Sequence, residues 1–265
     1  MVKIRVGNIN VGLIYKYDNY FKNNIESYIN NNIEVNHIIE VIYKDNLIAL
    51  ENDKVLSETK DEIKAMFRYD KNYNKIQIFI NDKLFSKDTI PHAEYIYMGV
   101  AFLELSYLYD FLPLHGSALK VNNEALIFSA PSGTGKSTHA KLWIKHLSAE
   151  YINEDKPLLR IEDNTIYVYG SPFSGENKLN NNYKVELKSI IFLKQSPTNK
   201  IKLMDKTLIL EHLIKNILRP DNELFWDKAL NTLAFIVENI DIYKLSANMN
   251  VEAAEIVHNK IFEKE

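Results

Sequence analysis

A glycine-rich segment in the middle of the chain constrains the fold more than any other feature of the sequence. Residues 125–129 before it form a short apolar run, which predicts a buried strand. Apolar residues after it recur at helical spacing, at Ala140, Trp143, Ile144 and Leu147. That spacing predicts a helix with one buried face. The chain therefore passes from a strand through two glycines straight into a helix, which is the local geometry of an anion-binding loop.

The residue types in this segment all suit a bound phosphate group. We predict a nucleotide-binding loop at Ser132, Gly133, Thr134, Gly135, Lys136, Ser137 and Thr138. Glycines let backbone N–H groups approach phosphates without Cβ clashes, Lys136 can neutralise the β and γ oxygens, and Ser137 can ligate Mg²⁺. We therefore expect ATP and Mg²⁺ as cofactors. A tightly packed turn that binds nothing is the alternative, since the usual pattern opens with glycine where this chain has Ala130.

Two adjacent carboxylates, Glu154 and Asp155, follow the predicted helix. Phosphoryl transfer needs one carboxylate to hold Mg²⁺ and often another to orient or deprotonate the attacking hydroxyl. Because neighbours on a strand point to opposite faces, we expect one of the pair to face the γ-phosphate. The alternative interpretation is a charged strand end beside Lys156.

Histidines lie on both sides of the loop. His115 is on a predicted strand before it and could assist proton transfer near neutral pH. A hydrogen-bonded core histidine fits the same local sequence. His139 and His146 belong to the helix after the loop, and we interpret both as packing or surface residues.

Composition excludes several classes of function. The chain has no cysteine, which rules out disulfides, cysteine zinc sites and thiol nucleophiles. A net charge of −3 argues against a general nucleic-acid binder. The most apolar stretch, residues 95–114, contains Glu104 and Asp110 and so fits a buried helix better than a membrane span. Since the N-terminus also lacks an apolar signal segment, we expect a cytoplasmic protein with no membrane or nucleic-acid partner.

The segment after residue 177 is locally basic, with lysines at Lys178, Lys184, Lys188, Lys194, Lys200 and Lys202. Such a segment could receive an acidic substrate. A solvated lysine face is the commoner outcome, and we favour it.

Hydrophobic periodicity predicts an α/β protein in two parts. Residues 1–90 form a smaller α+β part that could bind a substrate or a partner, with a helix at 20–29 and strands at 2–6, 11–15, 37–43 and 76–80. Residues 91–265 form the nucleotide-binding part. Its further helices are predicted at 91–109, 206–218, 223–239 and 251–262, and its further strands at 114–121, 158–161, 165–169, 189–193 and 241–245.

Three motifs together resemble a known family. They are the run 114–118 leading into the loop 130–139, the acidic segment 152–157, and the segment 169–175. These residues resemble the C-terminal kinase domain of HPr kinase/phosphorylase and its short relatives, some of which are similar to kinases that tailor ribosomally made peptides. The resemblance covers roughly His115 to the C-terminus.

The resemblance implies a phosphoenolpyruvate carboxykinase-like P-loop kinase fold, use of ATP and Mg²⁺, and phosphorylation of a serine hydroxyl in a peptide or protein. Lys136 and Ser137 match the phosphate and metal positions of the family, and Glu154-Asp155 matches its acidic pair, one residue acting as base and one lying near the metal. His115 matches a histidine close to the active site, and Glu176 matches a further metal carboxylate. Relatives of this kind often assemble, so a homo-oligomer is compatible with the resemblance.

Three functions remain open on the sequence. The leading hypothesis is a kinase acting on a peptide or protein hydroxyl, with Asp155, Glu154, His115 and Lys136 as catalytic residues and Ser137, Asp155 and Glu176 as metal ligands. The second is a kinase for a small metabolite such as free serine. The third is a non-catalytic module that senses ATP and binds a partner.

Overall fold

The computed structural model describes residues 1–131, 133–175, 179–220 and 222–263. The chain forms two compact units, Met1–Tyr109 and Asp110–Glu265. Both units combine sheets with helices, so the chain is a mixed α/β protein.

The first unit contains one mixed sheet and two helices. Its strands are β1 (Val2–Val6), β2 (Ile9–Ile14), β3 (His37–Tyr43), β4 (Lys54–Glu58), β5 (Ile63–Tyr69) and β6 (Lys75–Ile80). The sheet has the order β1-β2-β3-β6-β5-β4, with β2, β3 and β6 parallel. Its helices are α1 (Phe21–Ile25), which continues into a 3₁₀ turn at Glu26–Tyr28, and α2 (Ile90–Ser106).

Helix α2 belongs to the first unit, whereas the sequence placed the boundary at residue 90. It packs against β3 and β6, and its Glu94 carboxylate is fully buried. Glu94 accepts hydrogen bonds from the backbone N–H groups of Lys16 and Tyr17, both at 2.8 Å, and from the hydroxyl of Tyr43 at 2.8 Å. These contacts attach the helix to the sheet. The apolar stretch 95–114 contains most of this helix, a 3₁₀ turn at Tyr107–Tyr109 and the short strand Leu112–Pro113. Among the described residues, helices fall short of the length and apolarity that a membrane crossing needs.

The second unit contains the glycine-rich loop. Its strands are β7 (Leu112–Pro113), β8 (Ser117–Val121), β9 (Glu124–Ser129), β10 (Glu150–Asn153), β11 (Leu158–Glu162), β12 (Thr165–Tyr169), β13 (Lys184–Gln195), β14 (Lys200–Leu203) and β15 (Ile242–Ala247). Its helices are α3 (Lys136–His146), α4 (Lys206–Asn216), α5 (Glu223–Asn239) and α6 (Glu252–Phe262).

The sheet of the second unit runs β10-β8-β9-β13-β12-β11-β7, with β15 beside β13 and β14 beside β15. Strands β9, β13 and β15 are parallel, while the other pairs are antiparallel. Helices α3 and α6 cover one face of the sheet, where Trp143 is the largest buried side chain of the core. Because parallel strands end at the same edge, the carboxyl ends of β9, β13 and β15 meet where the glycine loop leaves the sheet.

Candidate active site

The glycine loop connects β9 to α3 as the sequence predicts. Gly133 and Gly135 have φ angles of 77° and 101°, in the left-handed region that favours glycine. Gly135 is the residue before α3, so the unpaired N–H groups of the first helical turn face the loop. Ala130 lies outside the left-handed region and is buried, which explains why alanine replaces the usual glycine there.

The ammonium group of Lys136 is held over this loop. It donates hydrogen bonds to the carbonyl oxygen of Ala130 at 2.9 Å and to Nε2 of His115 at 3.1 Å. Burial lowers the pKa of Lys136, and the nearby Lys156 lowers it further, whereas Asp155 opposes the change. A half-buried ammonium between a carbonyl and an imidazole is positioned to receive an anion.

A pairing of two distant segments brings His115 to the loop. The backbone N–H of Leu114 donates to the carbonyl of Pro157 at 3.1 Å, and that of Gly116 donates to the carbonyl of Asp155 at 3.0 Å. The backbone of His115 is also held from strand β9, because the hydroxyl of Ser129 donates to the carbonyl oxygen of His115 at 2.8 Å. His115 therefore lies opposite the acidic pair, and local sequence gave no sign of this pairing.

Asp155 has two close partners. Its carboxylate oxygens lie 3.0 Å and 2.9 Å from Nζ of Lys156, and one of them lies 3.0 Å from Nδ1 of His115. Each ring nitrogen of His115 also faces an ammonium group, since Nδ1 lies 2.9 Å from Nζ of Lys156 and Nε2 lies 3.1 Å from Nζ of Lys136. Burial would raise the pKa of Asp155, but the His115 hydrogen bond and the Lys156 charge outweigh it and hold that pKa well below its usual range. Asp155 is therefore ionised at neutral pH.

Glu154 and Asp155 both line the same cavity, and which of them faces the γ-phosphate stays a prediction. Strand β10 ends at Asn153, and the acidic pair occupies the turn that follows. The alternation of a strand does not apply in a turn, and neighbouring side chains can point to the same side. Glu154 is only 6% exposed, so its carboxylate is the more buried of the two.

Asn153 holds this turn in place, and the sequence reasoning missed its role. It is fully buried, and its Oδ1 accepts hydrogen bonds from the backbone N–H groups of Asp155 at 2.9 Å and Lys156 at 2.6 Å. Its Nδ2 donates to the carbonyl and the hydroxyl of Ser171 at 2.9 Å and 3.2 Å. An asparagine directly before an acidic pair is the local signal of such a turn. Lys156 was also missed, because it was interpreted only as a flanking charge.

The predicted residues gather around one cavity of about 420 Å³. Its lining consists of His115, Gly133, Gly135, Lys136, Ser137, Thr138, Glu154, Asp155, Ser174 and Gly175. Thr134 is in the loop but does not line the cavity. Ser132 and Glu176 lie outside the described residues. His139 is a buried packing residue, and His146 is exposed.

The donor set fits Mg²⁺ held jointly with phosphates. Within the described ranges, no group of three or more histidine and carboxylate side chains comes together as a ready metal cage. Mg²⁺ in phosphate chemistry is bound by one or two carboxylates, water and the phosphates themselves. The hydroxyl of Ser137 and the carboxylates of Glu154 and Asp155 supply that kind of oxygen set.

The fold and the site define a mixed α/β protein with a glycine loop at a helix N-terminus and an acidic pair in the same cavity. No protein-family profile matches the chain, and no curated protein matches its sequence. Among solved structures, the chain is similar to the Hpr(Ser) kinase/phosphatase from Coxiella burnetii, with a TM-score of 0.30 and 12% identity. That likeness covers 56% of this chain and 95% of the other. A likeness this low assigns neither a family nor an activity.

Proposed function

We propose that this chain is an ATP-dependent kinase with a phosphoenolpyruvate carboxykinase-like P-loop domain. It transfers the γ-phosphate of ATP to the hydroxyl group of a serine in a peptide or protein. One observation carries the proposal: Lys136, behind two left-handed glycines at the N-terminus of α3, shares a cavity with the carboxylates of Glu154 and Asp155. A phosphate site and a hydroxyl-orienting carboxylate are the two parts that phosphoryl transfer requires.

The residues of the cavity have different roles in the reaction. The N–H groups at the start of α3 and the ammonium of Lys136 bind the phosphates and stabilise the charge that develops on them. Mg²⁺, held by Ser137 and one carboxylate of the acidic pair, would neutralise further charge on the β and γ oxygens. The acceptor oxygen bonds to the γ-phosphorus as the bond from that phosphorus to the β–γ bridging oxygen breaks, and ADP leaves.

The acidic pair acts on the acceptor hydroxyl. One carboxylate of Glu154 and Asp155 orients the hydroxyl and takes its proton, while the other faces the metal. His115 positions both Asp155 and Lys136. Its Nδ1 lies 3.0 Å from Oδ1 of Asp155, and its Nε2 lies 3.1 Å from Nζ of Lys136. Because the transition state of phosphoryl transfer is loose, positioning matters more here than a strong base.

The proposal is tested by incubating the protein with Mg²⁺ and γ-labelled ATP in an extract of its source cells. Lys136→Ala is the loss-of-function variant, and Lys141→Ala, an exposed lysine on the same helix, is the matched control. We expect label on a peptide or protein with the wild type and with Lys141→Ala, and none with Lys136→Ala.

Other outcomes point to the other functions. Label on a small metabolite would indicate a metabolite kinase. Label that stays in ATP in all three samples, together with ATP binding that depends on Lys136, would indicate a nucleotide sensor and reject the kinase.

A further inference from the structure

Four lysines project from one face of the ribbon formed by β13, β15 and β14. We call this set the lysine face, and its members are Lys194, Lys200, Lys202 and Lys244. Ser246 pairs with Lys194 on one side and with Lys200 on the other, and Lys244 pairs with Lys202. Paired residues share a face of a sheet, and so do alternate residues along a strand. The opposite face of the ribbon packs into the core under α3 and α6.

The lysine face carries unneutralised charge. All four side chains are exposed, and within the described part of the chain none of them forms an ion pair. Two other lysines of the same segment differ, since Lys184 pairs with Glu162 and Lys188 pairs with Glu124. The whole chain has a net charge of −3, so this concentration of positive charge is a local feature.

Protection of a sheet edge does not explain the whole set. Lysines on an exposed edge strand discourage pairing with other chains, and Lys200 and Lys202 lie on β14, which among the described strands pairs only with β15. Lys194 lies beyond Phe192, the last residue of β13 that pairs with β9. Lys244 is paired on both sides, with Phe192 and with Lys202, so its position needs a different reason.

The lysine face reaches the edge of the sheet at which the glycine loop leaves it. Lys194 is followed by Gln195, which lies on the opposite face of β13 and whose Nε2 donates to the carbonyl oxygen of Thr134 in the glycine loop at 3.3 Å. The segment after β15 also reaches the loop, because a Cβ atom on Gly135 would lie 2.5 Å from Cε of Met249. The row of Lys194, Ser246 and Lys200 is therefore at the edge of the sheet where the loop leaves it.

We propose that the lysine face docks an acidic segment of the polypeptide that carries the acceptor hydroxyl. The proposal rests on the proposed kinase function and names the class of its substrate. Neighbouring strands lie about 4.8 Å apart and alternate residues about 7 Å apart, so the four charges cover a compact patch. Carboxylates at alternate positions of an extended peptide repeat at the same spacing of about 7 Å. A long polyanion such as nucleic acid fits less well, because the net negative charge of the protein repels it.

The test is direct binding, measured by fluorescence anisotropy at low ionic strength. The probe is a fluorescein-labelled peptide of alternating glutamate and serine, compared with the same peptide carrying glutamine and with a labelled oligothymidine. The variant is Lys194→Gln with Lys244→Gln. The control is Lys60→Gln with Lys87→Gln, two exposed lysines of the first unit that give the same change of net charge.

We expect the glutamate peptide to bind more tightly than the glutamine peptide and the oligothymidine. Its Kd should rise about fivefold in the lysine-face variant, as the loss of two exposed ion pairs implies, and stay unchanged in the control variant. Equal binding of the two peptides, equal loss in both variants, or tighter binding of the oligothymidine would each overturn the proposal.

The docking test is separable from the kinase test. The anisotropy assay contains no ATP, so a failure there rejects the docking surface and leaves the phosphotransfer assignment standing. Intact docking with no label transfer would reject the kinase alone.

Discussion

At the scale of single residues, Asp155 is the most constrained group of the site. Its carboxylate contacts the ammonium of Lys156 and Nδ1 of His115, and both contacts favour the ionised form. The depressed pKa means that Asp155 keeps its charge until the pH falls below its usual value of about 3.9. Its contribution to stability is therefore present at neutral pH and is lost only in acid.

Asp155→Asn tests the role of that charge. We expect nucleotide affinity to be retained, since Lys136 and the helix N-terminus still bind phosphate, while the rate of transfer falls by about a hundredfold or more. Single-turnover transfer and equilibrium ATP binding are measured in parallel. Asp163→Asn, an exposed carboxylate in a turn, is the control. Equal loss of binding and transfer would reject the catalytic assignment.

His139 predicts a pH dependence of stability. The imidazole ring of His139 is buried, and its centroid lies 4.8 Å from the ring centroid of Phe128. Nε1 of Trp143 donates a hydrogen bond to Nε2 of His139 at 3.2 Å. Burial lowers the pKa of His139 to about 4, whereas an unfolded histidine titrates near 6.5. The unfolded chain binds the extra proton between these values, so the free energy of unfolding falls as the pH drops from about 6.5 to about 4.

The expected loss from His139 is on the order of 3 kcal/mol at full protonation. Denaturant unfolding across this pH range measures it through tryptophan fluorescence, which reports on the second unit because both tryptophans lie there. His139→Gln should flatten the slope, and His146→Gln, at an exposed position of the same helix, should leave it unchanged. A slope unaltered by His139→Gln would show that another group causes it.

At the scale of elements, the short turn after β10 carries the acidic pair. Asn153 ties the turn to the segment that begins at Ser171, and Gly175 in that segment adopts a left-handed φ of 70°. A Cβ atom on Gly175 would lie 3.5 Å from Cβ of Asp155. The position of the acidic pair thus depends on two loops that one buried asparagine joins.

Asn153→Ala is predicted to separate catalysis from nucleotide binding. It leaves two backbone N–H groups without their acceptor, which costs about 2 kcal/mol of unfolding free energy. We expect kcat to fall while the KM for ATP stays unchanged, because Asn153 forms no hydrogen bond with the described residues of the glycine loop. Asn239→Ala removes a single exposed side-chain hydrogen bond at a helix end and serves as the control. A proportional rise in KM would contradict the positioning role.

At the scale of the whole molecule, a bound nucleotide should stabilise the fold by mass action. ATP with Mg²⁺ at about a hundred times its Kd contributes about 2.7 kcal/mol, which raises the Tm of the second unit. Thermal melts followed by tryptophan fluorescence measure this shift. We expect Lys136→Ala to abolish it and Lys141→Ala to preserve it. A shift that survives Lys136→Ala would place the nucleotide elsewhere.

Local sequence was enough to predict the positions of the helices and strands that have strong hydrophobic periodicity. The strand before the glycine loop, the helix after it and the helices of the C-terminal region lie where apolar spacing predicted them. Strands β4 and β5 were missed, because β4 is half exposed at an edge and β5 carries a continuous run of buried residues at its centre. Such strands lack the alternation on which the prediction depends.

The sequence by itself determined the strand–loop–helix unit and the chemistry of Lys136, because glycine backbone freedom and helix polarity act over a few residues. It could not place His115 beside Asp155, since that depends on backbone pairing between segments about forty residues apart. Nor could it align Lys194 with Lys200 and Lys244, because only the registers of β13, β15 and β14 put their side chains on one face. Register is set by packing against the core, and packing is decided by the tertiary structure.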